Sequence, residues 1–209
     1  MIENISNYWA RWLATKVPNN LYPSVDDQIE VFSYGIMVYL GALVKGASLV
    51  LIASLLGVLT PSLIITLTFS SFRIIAGGAH LKTFNLCLIV SLLQFIGGAF
   101  IVQRYQSWLY INTWYLFIFC IVSSVYIIIR YVPRDTANKP ITEKLEIMKF
   151  KKWSFLYLLG WAIIMTVFLL LNLQLIVIAS CFGLLMELFS ISKIGNATYN
   201  FVMEPSQSK

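Results

Sequence analysis

A histidine and a cysteine seven positions apart are the residues of this chain that suggest catalysis most directly. They lie in the segment RIIAGGAHLKTFNLC, residues 73–87, which holds the only histidine, His80, and the first of three cysteines, Cys87. A thiol activated by a neighbouring imidazole base is a common nucleophile for attack on a carbonyl carbon. The base must come within about 3 Å of the thiol. This requirement limits the backbone conformations that the segment can adopt.

A straight helix through residues 80–87 would not bring the two side chains together. It would separate them by about 10.5 Å along the helix axis. The two adjacent glycines before His80 allow a sharp bend, because glycine adopts backbone conformations that other residues avoid. Thr83 can cap a helix that begins near residue 84. We therefore expect His80 on an irregular segment and Cys87 about one turn inside the following helix. The spacing alone also fits a solvated histidine and an inert cysteine.

The composition identifies the elements around this segment as membrane-spanning helices. Of the 209 residues, 59% are hydrophobic and 11% are charged, whereas a soluble domain has about 25% charged residues. Four runs lack Asp, Glu, Lys and Arg altogether, and a span needs roughly 20 such residues. These runs are residues 46–72, 83–103, 105–129 and 153–186. The sequence therefore predicts an all-α, polytopic membrane helical bundle.

The predicted number of spans is about six. The run 153–186 is too long for a single crossing of a bilayer core about 30 Å thick, so we expect a bend near Asn172. The other predicted spans are residues 29–58, 61–76, 83–103 and 108–130. If residues 46–72 formed a single span instead, the total would be five.

The N-terminal segment has the pattern of a helix lying in the membrane interface. Residues 1–22 place Ile5, Trp9 and Trp12 at helical spacing on one face, with polar residues elsewhere. Such a face, with tryptophan beside cations, suits contact with membrane lipid. The alternative is a helix packed on the cytosolic surface of the protein itself. We predict that residues 23–209 form a single transmembrane domain.

Charge predicts the orientation of the chain. The loop predicted over residues 130–152 carries seven cations and three acids, which marks it as cytoplasmic. Alternating spans then place residues 73–82 on the same side, so a site there faces the cytoplasm. The net charge of +6 reflects topology and anionic lipid rather than nucleic acid. The cysteine spacing and the absence of an acidic cluster predict neither a metal nor a cofactor.

Two segments resemble the accessory gene regulator B (AgrB) family, membrane cysteine endopeptidases of Gram-positive bacteria. The first segment matches the family at Arg73, Gly78, His80 and Cys87. The second, YVPRDTANKPI at residues 131–141, fits the family loop Tyr-x-Pro-x-x-Thr-x-x-Lys-Pro-Ile. Its matching residues are Tyr131, Pro133, Thr136, Lys139, Pro140 and Ile141. The two segments also occur in the expected order and separation.

The resemblance implies an enzyme that processes a quorum-sensing propeptide of the AgrD type. Cys87 would attack a peptide carbonyl near the propeptide's C-terminus, with His80 as general base, and the C-terminal tail would leave. A cysteine or serine of the propeptide would then attack the thioester and close a thiolactone or lactone ring. The resemblance also suggests a homodimer in the bacterial cell membrane. The expected substrate-binding residues are Arg73, Gly78, Lys82, Arg134, Lys139 and Pro140.

Another function class also fits the composition. A small peptide permease, or a non-catalytic membrane assembly factor, would have similar spans but no need of Cys87. Covalent chemistry therefore separates the two classes. Lys45 and Glu187 lie in or near apolar spans, where a charge must face a partner or a cavity. Glu30 and Glu187 are the possible partners of Lys45, and Glu187 also fits the cytoplasmic end of the last span.

Overall fold

The computed structural model describes residues 2–17, 24–78, 83–133, 143–195 and 197–198, and every regular element in these ranges is an α-helix. The helices are α1 (Ile2–Ala14), α2 (Val25–Leu55), α3 (Leu59–Ala76), α4 (Phe84–Arg104), α5 (Gln106–Ile111), α6 (Thr113–Tyr131), α7 (Lys144–Leu170) and α8 (Gln174–Ile191). The predicted all-α fold is confirmed.

Six of these helices, α2, α3, α4, α6, α7 and α8, are long and apolar enough to cross a membrane. The prediction of six spans is confirmed, and the alternative with one span over residues 46–72 is wrong. The chain turns there at Gly57, whose φ of 70° is a conformation that glycine adopts without strain. The bend predicted near Asn172 is also confirmed, since Asn172 has a φ of 58° between α7 and α8.

The basic segment at residues 130–152 is helical at both ends, which corrects the prediction of a loop over its whole length. Helix α6 continues to Tyr131 and α7 begins at Lys144. Lysine, glutamate, leucine and methionine dominate the start of α7, and all four favour helix. The Lys151 ammonium donates a hydrogen bond to the Ile129 carbonyl oxygen at 2.8 Å. This contact joins the first turns of α7 to the end of α6.

The described residues form two compact units, and the first is Met1–Leu51. In this unit α1 buries small residues, including Ser6 and Ala10, and exposes Trp9 and Trp12 to 48% and 49%. The Ser6 and Ser33 hydroxyls share a hydrogen bond of 3.3 Å that links α1 to α2. The N-terminal amphipathic helix is therefore present but shorter than predicted, and its aromatic face suits a membrane interface.

The second unit, Ile52–Lys209, is built around α8. This helix packs against α3, α4, α5, α6 and α7. It comes close to α3 at Gly183, where an added Cβ would lie 2.4 Å from the Ile65 carbonyl oxygen. Small residues at helix contacts allow backbones in a membrane to come this close. The two helices are therefore in direct backbone contact.

Polar side chains add hydrogen bonds between α3, α7 and α8. The Ser180 hydroxyl shares a bond of 2.9 Å with the Thr68 hydroxyl and accepts the Trp161 Nε1–H at 2.7 Å. The Ser71 and Tyr157 hydroxyls share another, of 2.7 Å. A polar group within a bilayer is unfavourable without a partner. These bonds therefore fix the register of α3, whose end leads to the candidate site.

Candidate active site

The site begins where α3 ends, at a turn made by the two adjacent glycines. The last helical residue is Ala76, and Gly77 follows with a φ of 76° and donates its N–H to the Arg73 carbonyl oxygen at 3.0 Å. With its ψ of −170°, Gly77 adopts a backbone conformation that is open essentially to glycine alone. Gly78 is buried directly after it. The predicted bend at the glycines is therefore confirmed.

Arg73 lies in the last turn of α3 and directs its guanidinium toward α8. Its Nη1 donates to Glu187 Oε2 at 3.1 Å and to Ser190 Oγ at 3.1 Å. Its Cζ lies 5.5 Å from the centre of the Phe69 ring. The Arg73 side chain is 22% exposed and that of Glu187 is 0% exposed. A residue predicted to bind substrate thus has an ionic partner within the chain.

Gly78 lies directly against this ion pair. A Cβ built on Gly78 would be 2.6 Å from Arg73 Nη1 and 2.6 Å from Glu187 Oε1. Glu187 Oε1 is buried and has no hydrogen-bond partner within the described residues. Only a glycine fits at position 78 without displacing one of the two charged groups. The structure therefore brings together Arg73 and Gly78, which the sequence analysis named as site residues, with Glu187 and Ser190, which it did not place in the site.

Cys87 lies at the start of the next helix, as predicted. Thr83 caps α4, because its hydroxyl accepts the Leu86 N–H at 3.4 Å and its carbonyl accepts the Cys87 N–H at 3.1 Å. Cys87 is half-buried, whereas Cys120 and Cys181 are fully buried. Thiol chemistry requires access to the sulfur. Cys87 is therefore the cysteine best placed to react.

The remaining predicted site residues, His80, Lys82, Arg134, Lys139 and Pro140, lie outside the described residues. The chain covers Gly78 to Thr83 in five steps, which bounds the separation of their Cα atoms to about 18 Å. The end of α3 and the start of α4 are thus held at one end of the second unit. In the described ranges, no three metal-ligating side chains converge.

Glu187 is the site residue that sequence reasoning left without a role. It is the only acidic residue between positions 147 and 203, and an acid within an apolar helix requires a partner. The sequence therefore indicates that Glu187 has a partner, but that partner, Arg73, is 114 positions away. Of the cations, the sequence suggested only Lys45 as this partner and not Arg73, because an apolar pattern does not specify which helices pack together.

Comparison with known proteins identifies a family that covers most of the chain. The family model described as Accessory gene regulator B matches residues 6–191. An AgrB-like protein of Clostridium perfringens strain SM101 is 25% identical and is covered over 94% of both chains. A second AgrB-like protein, from C. perfringens strain 13, is 26% identical over 74% of this chain and 71% of its own.

A third relative is the accessory gene regulator protein B of Staphylococcus intermedius, which is 32% identical over 44% of this chain and 47% of its own. No solved structure matches the chain significantly. The family match extends from α1 to the last residue of α8 and includes both Arg73 and Cys87. The chain therefore belongs to the accessory gene regulator B family, membrane proteins of accessory gene regulator quorum sensing.

Proposed function

We propose that this protein is a membrane-embedded cysteine endopeptidase that removes the C-terminal tail of an AgrD-type propeptide. The observation that carries the proposal is the half-buried thiol of Cys87 at the capped start of α4, whereas the other two cysteines are fully buried. Family membership supports it as well, because the match covers this whole region. His80 is the only imidazole of the chain, so it is the candidate for the base.

In the first step, Cys87 Sγ attacks the carbonyl carbon of the scissile peptide bond. His80 takes the thiol proton and passes it to the leaving amine nitrogen as the carbon–nitrogen bond breaks. The acidic tail departs and the rest of the propeptide stays on Cys87 as a thioester. This covalent intermediate stores the acyl group for the second step.

In the second step, a cysteine or serine within the propeptide attacks the thioester carbonyl. Its proton passes to His80 and then to the departing Cys87 sulfur, which restores the enzyme and closes the ring. The exchange of one thioester for another needs little driving force when the attacking group is a thiol. Water must be kept away from the intermediate, and the apolar helices around α4 suit that requirement.

Charge supports a role for the basic segment at residues 130–152 in substrate binding. In this proposal the successive spans α3, α4, α6 and α7 alternate in direction, so the basic segment and the candidate site share one side of the membrane. That side is the cytoplasmic one by the excess of cations. Arg134, Lys139 and Lys82 are then available to attract an acidic tail. Homodimerisation also remains part of the proposal, on the resemblance alone.

The test uses purified protein in liposomes with a panel of AgrD-type propeptides. Mass spectrometry follows tail release and adducts in the wild type, in Cys87→Ala and in the control Cys120→Ala. We expect a thioester on Cys87 and release that is lost only in Cys87→Ala. Release that persists in Cys87→Ala would contradict the mechanism. No adduct with any propeptide would favour a permease or assembly factor instead.

A further inference from the structure

We infer that Glu187 is a positioning residue for the catalytic segment, and that it acts through Arg73 and Gly78. The inference rests on the proposed function and adds a residue from the last helix to it. Glu187 lies on α8, while both proposed catalytic residues belong to the connection between α3 and α4 and to α4 itself.

Only one of the two carboxylate oxygens of Glu187 is hydrogen-bonded within the described residues. Its Oε2 accepts a hydrogen bond from Arg73, whose guanidinium also reaches Ser190 on the same helix. Its Oε1 is buried without a hydrogen-bond partner within the described residues. A buried charge is tolerated within a span only when it is paired. The pair therefore fastens the last turn of α3 to α8.

The proposed catalytic segment begins at Gly78, next to the ion pair and to the Glu187 Oε1 atom that accepts no hydrogen bond within the described residues. Glu187 Oε1 and Arg73 Nη1 each lie 2.6 Å from the position that a Gly78 Cβ would occupy. The two charged groups thus form the surface on which the Gly78 backbone rests. Gly78 precedes His80 by two residues, and the chain reaches the α4 cap only five positions later. A shift of this surface would therefore displace the start of the segment that carries His80.

Glu187 could instead only stabilise the packing of α3 on α8. The chain offers a matched control for that alternative. Thr68 and Ser180 form another buried hydrogen bond between the same two helices. That bond joins side chains away from the glycine turn and does not include Gly78 or Arg73. Loss of either contact removes one hydrogen bond between α3 and α8. Only loss of the Glu187 contact should affect the reactivity of Cys87.

The experiment measures alkylation of Cys87 by iodoacetamide at pH 7, with the full chain in liposomes and the Cys87 peptide quantified by mass spectrometry. No propeptide is needed. The proposed function assigns the Cys87 proton to His80, so His80→Ala gives the rate without the base. We expect Glu187→Gln to slow alkylation about tenfold or more, toward the His80→Ala rate, since a displacement of about 1 Å has effects of this size. We expect Thr68→Val to stay within about twofold of wild type.

The direction of the change in the Cys87 alkylation rate distinguishes a positioning role of Glu187 from a purely stabilising role. A merely loosened bundle would expose the half-buried thiol and raise its alkylation rate. Glu187→Gln leaves the Arg73 guanidinium without its ionic partner. A second variant, Arg73→Met with Glu187→Leu, therefore replaces both charged side chains by apolar ones of similar volume. We expect this double variant to remain helical by circular dichroism and to alkylate as slowly as Glu187→Gln.

Two results would overturn the inference. Wild-type alkylation in Glu187→Gln or in the folded double variant, with slow alkylation in His80→Ala, would remove the role of Glu187 and leave the proposed function intact. Wild-type alkylation in His80→Ala would remove the base from the proposed function, and the inference would fail with it. Slow alkylation in all three variants, with a near wild-type rate in Thr68→Val, would support the inference.

Discussion

Replacing Gly78 by alanine should be the most damaging single-methyl change near the candidate site. The new Cβ would lie 2.6 Å from both Arg73 Nη1 and Glu187 Oε1, whereas ordinary heavy-atom contacts are about 3.5–4.0 Å. The overlap is therefore about 1 Å at two atoms. The backbone conformation of Gly78 is outside the left-handed range, so the methyl contact, and not backbone strain, is the expected cause of damage.

The magnitude depends on which group moves. If the ion pair opens, a buried carboxylate loses its partner, and the free energy of unfolding falls by about 3–5 kcal/mol. If the pair holds and the backbone retreats, overpacking lowers it by about 1–3 kcal/mol. In that second case the proposed catalytic segment moves by about 1 Å, which should lower the rate of the proposed reaction on the order of 100-fold. Either path should reduce thioester formation on Cys87 severely.

The assay compares thioester formation with an AgrD-type propeptide and thermal unfolding in detergent for Gly78→Ala and a control glycine. Gly97→Ala is the control, because Gly97 lies on α4 with no atom within 4 Å of an added Cβ. Glu187→Ala serves as a second background, since it removes one of the two clashing groups and frees Arg73 to move away. We expect Gly78→Ala to be less harmful in that background by about 0.5–3 kcal/mol.

Equal penalties for Gly78→Ala in both backgrounds would refute this reasoning, because they would show that the methyl does not meet the ion pair. A Gly78→Ala variant that behaves like Gly97→Ala in both measurements would refute it as well. Additivity is informative here because residues in contact couple while distant ones do not.

Three further predictions concern helix contact, helix capping and charge. Gly183→Ala should lower the free energy of unfolding by about 1–3 kcal/mol, because the new Cβ would lie 2.4 Å from the Ile65 carbonyl oxygen. The control Gly160→Ala, whose Cβ would have no atom within 4 Å, should unfold like wild type, and equal unfolding of the two variants would contradict the close contact. Thr83→Ala should remove the α4 cap, lower the free energy of unfolding by about 1 kcal/mol and slow Cys87 alkylation. Thr83→Ser should keep the cap and the alkylation rate, and a normal rate in Thr83→Ala would show that the cap does not position the thiol. Propeptide affinity should fall steeply with added salt if the basic segment at residues 130–152 holds an acidic tail; a dissociation constant independent of salt would rule that contact out.

Most of the architecture was accessible from the sequence because its signals are local. Charge-free runs of membrane length predicted the spans, and Asn172 marked the bend that separates α7 from α8. The glycine turn and the Thr83 cap were accessible for the same reason, since turn and cap chemistry depend on a few adjacent residues. The helical start of α7 at Lys144 differs from the predicted loop, because a high density of charge is typical of a loop between spans although the same residues favour helix.

The ion pair between Arg73 and Glu187 could not be predicted from such signals. Local periodicity shows that a residue lies on a helix, but not which of five other spans its side chain faces. The carboxylate and the guanidinium are 114 positions apart, and an apolar helix with one acid is compatible with any neighbouring cation. Only the packed arrangement of α3 on α8 selects Arg73.

Helix α8 holds α3 at three successive levels, and this explains why the last helix matters for a motif near the middle of the chain. Ser180, Gly183 and Glu187 follow each other at intervals of three and four residues, so they lie on one face of the helix. In order, they provide a hydrogen bond, a backbone contact and an ion pair to α3. The third contact adjoins the glycine turn. A chain that ended before α8 would keep the whole motif at residues 73–87, but Arg73 would lose its ionic partner and the turn its supporting surface. Residues 73–87 therefore depend on α8 for the contacts that hold Arg73 and Gly78 in place.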